Sequence, residues 1–196
     1  MNTSPHPIMA AAAQGRLPSW TVAGEARRAH MGRVAELLGQ WAVILDLGPQ
    51  SVDRWIAVGQ LHDVLREASP VELARKVPPG VASLPAPLLH GPAAAERLRI
   101  EGVLDGEALY AIAYHTTGHA SLGVLGRALY VADFLEPGRT LEQEWRASLR
   151  ARMPHDLKGV TRDVVAGRIS HVVGRGVDLL PDTVRFWNAL VATDEG

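Results

Sequence analysis

The sequence predicts an all-α fold, on two observations. Five or more segments repeat their apolar residues with a period near 3.6, and no segment of five or more residues alternates apolar and polar positions between turn signals. At 196 residues and 47% hydrophobic, the chain is long enough for one compact domain that buries roughly 70% of its unfolded surface without disulfide staples. With 20 basic residues against 21 acidic ones there is no global field to attract nucleic acid or an anionic membrane, so phosphate binding must come from a local cluster. The lack of cysteine removes disulfide frameworks, thiolate metal sites and cysteine nucleophiles, and suits a reducing cytoplasm. No run approaches the roughly 18 uncharged apolar residues of a membrane span, and the opening MNTSPHPIMAAAAQG lacks the positive leading region of a signal peptide. The expectation is a cytoplasmic protein that binds neither nucleic acid nor membrane.

Residues 1–20 mix Pro, Ser, Asn and Ala without periodicity, and a flexible leader is expected there, followed by a single domain over residues 21–196. From Ala26, the residues Val34, Leu37, Leu38, Trp41 and Leu45 form the stripe of an amphipathic helix that Gly48-Pro49 ends. Ser51 is placed to cap a second helix through Trp55, Ile56, Gly59 and Leu61 to about Glu67, with His62 and Asp63 inside it. Six prolines between residues 69 and 92 favour short turns and loops. Gly91-Pro92 opens the helix AAAERLRI, and Asp105 caps EALYAIAYHT, which Gly118 stops. Leu122, Leu125, Leu129 and Ala132 then repeat at helical spacing, with Asp133 and Glu136 continuing the stripe until Pro137-Gly138 breaks it. From Leu141 to Leu190 two or three helices are expected, with a Pro181-Asp182-Thr183 turn before the last.

The chemistry lies where polar residues interrupt these stripes. His30, the pair His62-Asp63, His90, His115 and Asp133 fall inside or at the ends of apolar helices. A buried unpaired carboxylate costs several kcal/mol and would sooner protonate, so Asp63 and Asp133 call for a cation, and neutral imidazoles beside them make that cation a metal. Nitrogen and oxygen ligands without sulfur favour iron, manganese, cobalt or zinc. Any one histidine at a helix end is more often a cap or a hydrogen-bonded core residue than a ligand. The specificity comes from the ordered set.

That order resembles the signature of the HD-domain metal-dependent phosphohydrolases, in the variant whose two additional histidines supply a second metal. The strings GQLHDVLRE, LLHGPAAAERL, AIAYHTTG, LGRALYVADFLEPGR and LLPDTVRFWNALV are similar to those of the YqeK family of symmetrical bis(5'-nucleosyl)-tetraphosphatases, over about Ala26 to Val191. The resemblance implies an HD-domain helical bundle with two metals. His30, His62, Asp63 and Asp133 would hold one, and Asp63 would bridge to a second held by His90 and His115. Iron is the implied cofactor, with manganese or cobalt as substitutes. The implied reaction is attack of a metal-bridging hydroxide on diadenosine tetraphosphate, releasing two ADP, with Asp63 and Arg66 catalytic and Arg27, Arg66, Thr116, Gly118 and Arg139 on the polyphosphate. A homodimer is compatible with the resemblance. The alternative is another nucleotide on the same scaffold, a nucleoside monophosphate or guanosine tetraphosphate.

Two positions depart from the family pattern. Arg66 stands where relatives usually carry lysine, which keeps the charge but replaces a point donor with a fork. His119 stands at a position often basic in relatives and is not expected to be a ligand. Arg28, Arg127 and Arg146 are expected to be solvated, and the five tryptophans to belong to the core.

Overall fold

A computed structural model describes residues 4–192 of the chain, and among these residues the structure is all helical, with ten α-helices and no strand. The helices are α1 (Pro7–Ala13), α2 (Glu25–Ile44), α3 (Pro49–Leu61), α4 (Pro70–Lys76), α5 (His90–Ile100), α6 (Gly106–Tyr114), α7 (Val124–Leu135), α8 (Gln143–Arg152), α9 (Leu157–Gly174) and α10 (Pro181–Val191). A short 3-10 turn at Ala86–Leu88 punctuates the proline-rich stretch before α5. None of these helices is long and apolar enough to cross a membrane.

Helix α7 is the axis of the bundle. Nine of its 12 residues are buried, and α2, α3, α6, α8 and α9 all pack against it. Because it is apolar nearly all round, the one carboxylate in its buried set, Asp133, is forced to find partners inside the protein. Helix α2 presents His30, Met31, Val34, Leu37, Leu38 and Trp41 inward and lies against both α3 and α7.

Four expectations are corrected. The leader is not flexible throughout, since Pro7–Ala13 is helix α1, its first turn capped by the His6 side chain accepting from Ile8 N at 3.3 Å. Met9 and Ala12 are buried, and α1 packs on α3. Seven residues give too little periodicity to show in a sequence and would not hold a helix without that packing. The second helix stops at Leu61, so His62 is its C-cap and Asp63 lies beyond it, and Pro49 rather than a capped Ser51 begins it. The Pro181-Asp182-Thr183 segment is the first turn of α10 rather than a turn before it. Arg146 is not solvated: it is buried, its Nε donates to the Leu141 carbonyl at 2.7 Å, and its guanidinium lies 4.0 Å over the Phe134 ring. Residues 1–3 of the expected leader lie outside the described residues.

Asp105 shows how one side chain joins elements. It caps α6 by accepting from Ala108 N at 3.1 Å, and it accepts from Nε and one terminal nitrogen of Arg54 on α3, at 2.6 and 2.7 Å. Burial opposes its ionisation, but the Arg54 and Ala108 hydrogen bonds outweigh burial and hold its carboxyl below the ordinary value. Asp105→Ala is expected to cost about 1–2 kcal/mol. A carboxyl with a lowered folded value contributes stability that is complete above its unfolded value and is lost as pH falls through the folded one. Urea unfolding checks both expectations: the midpoints of wild type and variant should differ at pH 7 and converge in strong acid.

Candidate metal centre

Five helices deliver six polar side chains to one buried point. His30 comes from the sixth position of α2, His62 from the C-cap of α3 with Asp63 next to it, His90 from the start of α5, His115 from the C-cap of α6 and Asp133 from α7. All six are buried, none more than 9% exposed, so they depend on partners inside the protein. Gly91 makes one of these approaches possible: a Cβ there would meet the Ile112 carbonyl at 2.8 Å and the His115 ring at 3.2 Å.

Asp63 lies at the middle. Its Oδ2 is 3.5 Å from His62 Nε2 and 3.8 Å from His30 Nε2, while its Oδ1 is 3.0 Å from His90 Nε2 and 3.4 Å from His115 Nε2. Each carboxylate oxygen therefore faces its own pair of imidazoles. Asp133 Oδ1 stands 3.2 Å from His30 Nε2. The ligand atoms of His30, His62 and Asp133 lie within 4.8 Å of one another, as do those of His62, Asp63 and His115.

The outer nitrogens determine what the inner ones are. His62, His90 and His115 each set Nδ1 against the main-chain carbonyl three residues earlier, those of Gly59, Pro87 and Ile112, at 2.7, 2.9 and 2.7 Å. A carbonyl only accepts, so each Nδ1 carries a proton and each ring turns Nε2 inward as the nitrogen that can bind an ion. His30 Nδ1 meets a side chain instead, Glu136 Oε1 at 3.3 Å. Burial pushes His62 down to about 4, against the pull of Asp63, and also lowers His90, so both are neutral at pH 7.

Such an arrangement calls for positive charge at its centre. His90 Nε2 and His115 Nε2 face each other at 3.1 Å, and His30 Nε2, His62 Nε2 and Asp63 Oδ1 are buried without a hydrogen-bond partner. For Asp63 burial opposes ionisation, but His62, His115 and His90 outweigh it and hold the carboxyl well below its usual range. Asp133 is held low in the same way by His30 and Arg168. His115 moves upward, because its hydrogen bond and charge attraction to Asp63 outweigh burial. Neutral imidazoles and ionised carboxylates without sulfur are the donor set of iron, manganese, cobalt and zinc, so the residues present fit such an ion.

Cationic side chains rim this point. Arg27 donates to Asp63 Oδ2 at 2.8 Å, and Arg139 donates to Asp133 Oδ1 at 3.0 Å. Arg66 lines a cavity of about 280 Å³ together with His90, Ala86 and Pro87. Thr116 Oγ1 reaches 3.5 Å from His90 Nε2. Gly118 is of another kind: it has φ +70° and is buried, and a Cβ would lie 2.2 Å from the Phe186 ring, so its position is set by the turn and by α10 packing over it. His119 takes no part in the cluster, its Nδ1 lying 2.6 Å from the Tyr110 hydroxyl.

The sequence reading missed Arg168 and the place of Glu136. Arg168 on α9 lies 4.7 Å over the Tyr130 ring with NH1 3.8 Å from Asp133 Oδ2, a contact between helices that no local pattern announces. Glu136 did leave a signal, a second carboxylate three residues after Asp133 on an apolar stripe.

The HD domain family model matches residues 27–138, more than half of the chain and a stretch that contains all six converging side chains. A Staphylococcus aureus protein named symmetrical bis(5'-nucleosyl)-tetraphosphatase is 34% identical over 123 residues, which cover 60% of this chain and 62% of that protein. A Halalkalibacterium halodurans protein of the same name is 30% identical over 105 residues, 53% of this chain and 55% of that protein. The chain thus spans somewhat more than half the length of these curated relatives. The crystal structure of a predicted HD superfamily hydrolase involved in NAD metabolism from Clostridium acetobutylicum superposes with a TM-score of 0.74 over 87% of this chain and 91% of that one, at 24% identity, a likeness of fold. With its matched segment and its helical bundle closing on the same cluster of histidines and aspartates, the chain belongs to the HD domain family.

Proposed function

We propose that this protein is a metal-dependent phosphohydrolase that cleaves a dinucleoside tetraphosphate symmetrically, diadenosine tetraphosphate giving two ADP. The observation that carries the reading is Asp63, whose two oxygens each face a separate pair of imidazoles. Such a carboxylate could serve two ions, one of which would be held by His30, His62, Asp63 and Asp133 and the other by Asp63, His90 and His115. Two such ions, iron by resemblance with manganese or cobalt as substitutes, supply an activated water and neutralise phosphoryl oxygens. The substrate class follows the shared name of the relatives. A chain without cysteine suits catalysis in the reducing cytoplasm.

The remaining work falls to the rim. In symmetrical cleavage the water oxygen ends on a phosphorus next to the central bridging oxygen, the bond from that phosphorus to the bridge breaks, and the second ADP departs with the electron pair. Its diphosphate is a weak base, so catalysis is mostly positioning and charge neutralisation. Arg27 donates to the Asp63 carboxylate, and one terminal nitrogen of Arg139 donates to the Asp133 carboxylate and main-chain carbonyl, which leaves further N–H groups of both side chains for phosphoryl oxygens. Arg66, beside His90, offers a planar fork to the adjoining phosphate. The Thr116 hydroxyl adds a neutral donor, and Gly118 serves the site by shaping the turn that carries Thr116.

Anaerobic incubation with ferrous iron and diadenosine tetraphosphate, products resolved by ion exchange, tests the reaction. ADP alone, lost on chelation, is expected; ATP with AMP, or no turnover by the metal-loaded protein, would overturn the reading. Arg66→Met should lower kcat by about 100-fold with metal content unchanged. Metal analysis tests the sharing of Asp63. Asp63→Ala should lose both ions and His115→Ala only one, and an Asp63→Ala protein that keeps two would rule the shared carboxylate out.

A further inference from the structure

Three of the four clustered histidines are held by main chain and one is not. His62 and His115 are C-cap residues and His90 is the first residue of α5, so each stands at a helix end, and each has a carbonyl three residues back within reach of Nδ1. His30 sits inside the 20-residue helix α2, where the neighbouring carbonyls are engaged in helical hydrogen bonds. Its Nδ1 has Glu136 Oε1 instead, at 3.3 Å. Glu136 is itself buried, only 2% exposed, and it is fixed in place: Gly138 N donates to Oε2 at 2.7 Å, Arg33 Nε donates to the same oxygen, and Arg139 Nε approaches Oε1 at 3.6 Å.

We propose that Glu136 is a positioning residue that acts through His30 and makes the two metal positions unequal, the one at His30, His62 and Asp133 binding more tightly than the one at His90 and His115. The inference rests on the two-metal reading above. A carboxylate accepting from the outer nitrogen of an imidazole fixes the ring and makes its inner nitrogen a better donor than a neutral carbonyl does. The position it serves also has two carboxylates, Asp133 as well as Asp63, whereas the other has Asp63 alone. Both differences act in one direction. An ion should therefore fill the His30 side first and leave it last. Arg33 belongs to the same device, since it sits one turn along α2 from His30 and grips the carboxylate that His30 uses.

The test uses anaerobic cobalt(II) titration of the full chain, read from visible absorption against a competing chelator. Wild type should take two equivalents with separable affinities, and His115→Ala should retain the tighter one. In the His115→Ala background, Glu136→Gln should weaken that remaining equivalent by about 10-fold and Glu136→Ala by up to about 100-fold. Glu136→Gln has nearly the same shape, and its melting curve confirms that the protein measured is folded. The decisive measurement is a double-mutant cycle: with His30→Ala already present, Glu136→Gln should change cobalt affinity by less than twofold, because the residue it acts through is gone. Unchanged tight-position affinity in Glu136→Gln, or an equal loss at both positions, would overturn the proposal. Wild-type protein that takes up no cobalt would fail earlier, by removing the two-metal reading itself.

Discussion

The structure depends on the insertion of an ionised carboxylate, Asp63, among four imidazoles in the buried interior. A carboxylate so placed is costly unless positive charge lies within a few ångströms, and the charge must be shared because both of its oxygens are surrounded. The helices around it are arranged to meet this demand. The start of α5, the C-caps of α3 and α6, and the buried stripes of α2 and α7 all end or turn at this one location, so packing of the apolar core and assembly of the cluster are the same event. Main-chain carbonyls at helix ends, which would otherwise need water or a cap, are used to orient rings.

A cluster built this way is rigid in its outer layer and electrostatically incomplete in its inner one. The Nδ1 atoms are committed to protein acceptors, while the Nε2 atoms and Asp63 Oδ1 face each other. The arginines around it are similarly divided. Arg27 and Arg139 each bond a carboxylate of the centre and stay partly exposed, at 28% and 42% of their side-chain surface, which is where an anionic ligand would arrive. Charge is thus graded from a negative interior to a positive rim, a gradient suited to drawing a polyanion inward.

Much of this was legible in the sequence. The periods of α2, α3, α6 and α7 were readable because each buries one face, and the six cluster residues stood out as polar side chains within or at the ends of apolar segments. Asp105 was readable as a cap because capping is local. What could not be read was long-range. Helix α1 is too short to declare itself, and Arg146 is buried because its guanidinium lies on the Phe134 ring and donates to the Phe134 and Leu141 carbonyls. Arg168 reaches Asp133 from another helix, over the face of Tyr130, and spacing within one segment says nothing about that. The end of α3 at Leu61 was also missed, and the miss mattered, since the helix end is what gives His62 its free carbonyl.

The packing of Phe186 against Gly118 has a consequence for where this protein can be divided. Residues 27–138 carry the family match and every clustered ligand, yet the turn after His115 is roofed by α10, through Phe186 on Gly118 and through the Thr183 hydroxyl donating to the Thr117 carbonyl at 2.8 Å. Phe186 also meets Tyr130 edge to face at 5.4 Å, which ties the roof to the axis helix that bears Asp133. The recognisable segment therefore leaves part of its packing to residues outside it. The turn that follows His115 is closed by residues some fifty positions beyond its border, and inheritance of the family pattern without that C-terminal helix would transmit the ligands while leaving that turn uncovered.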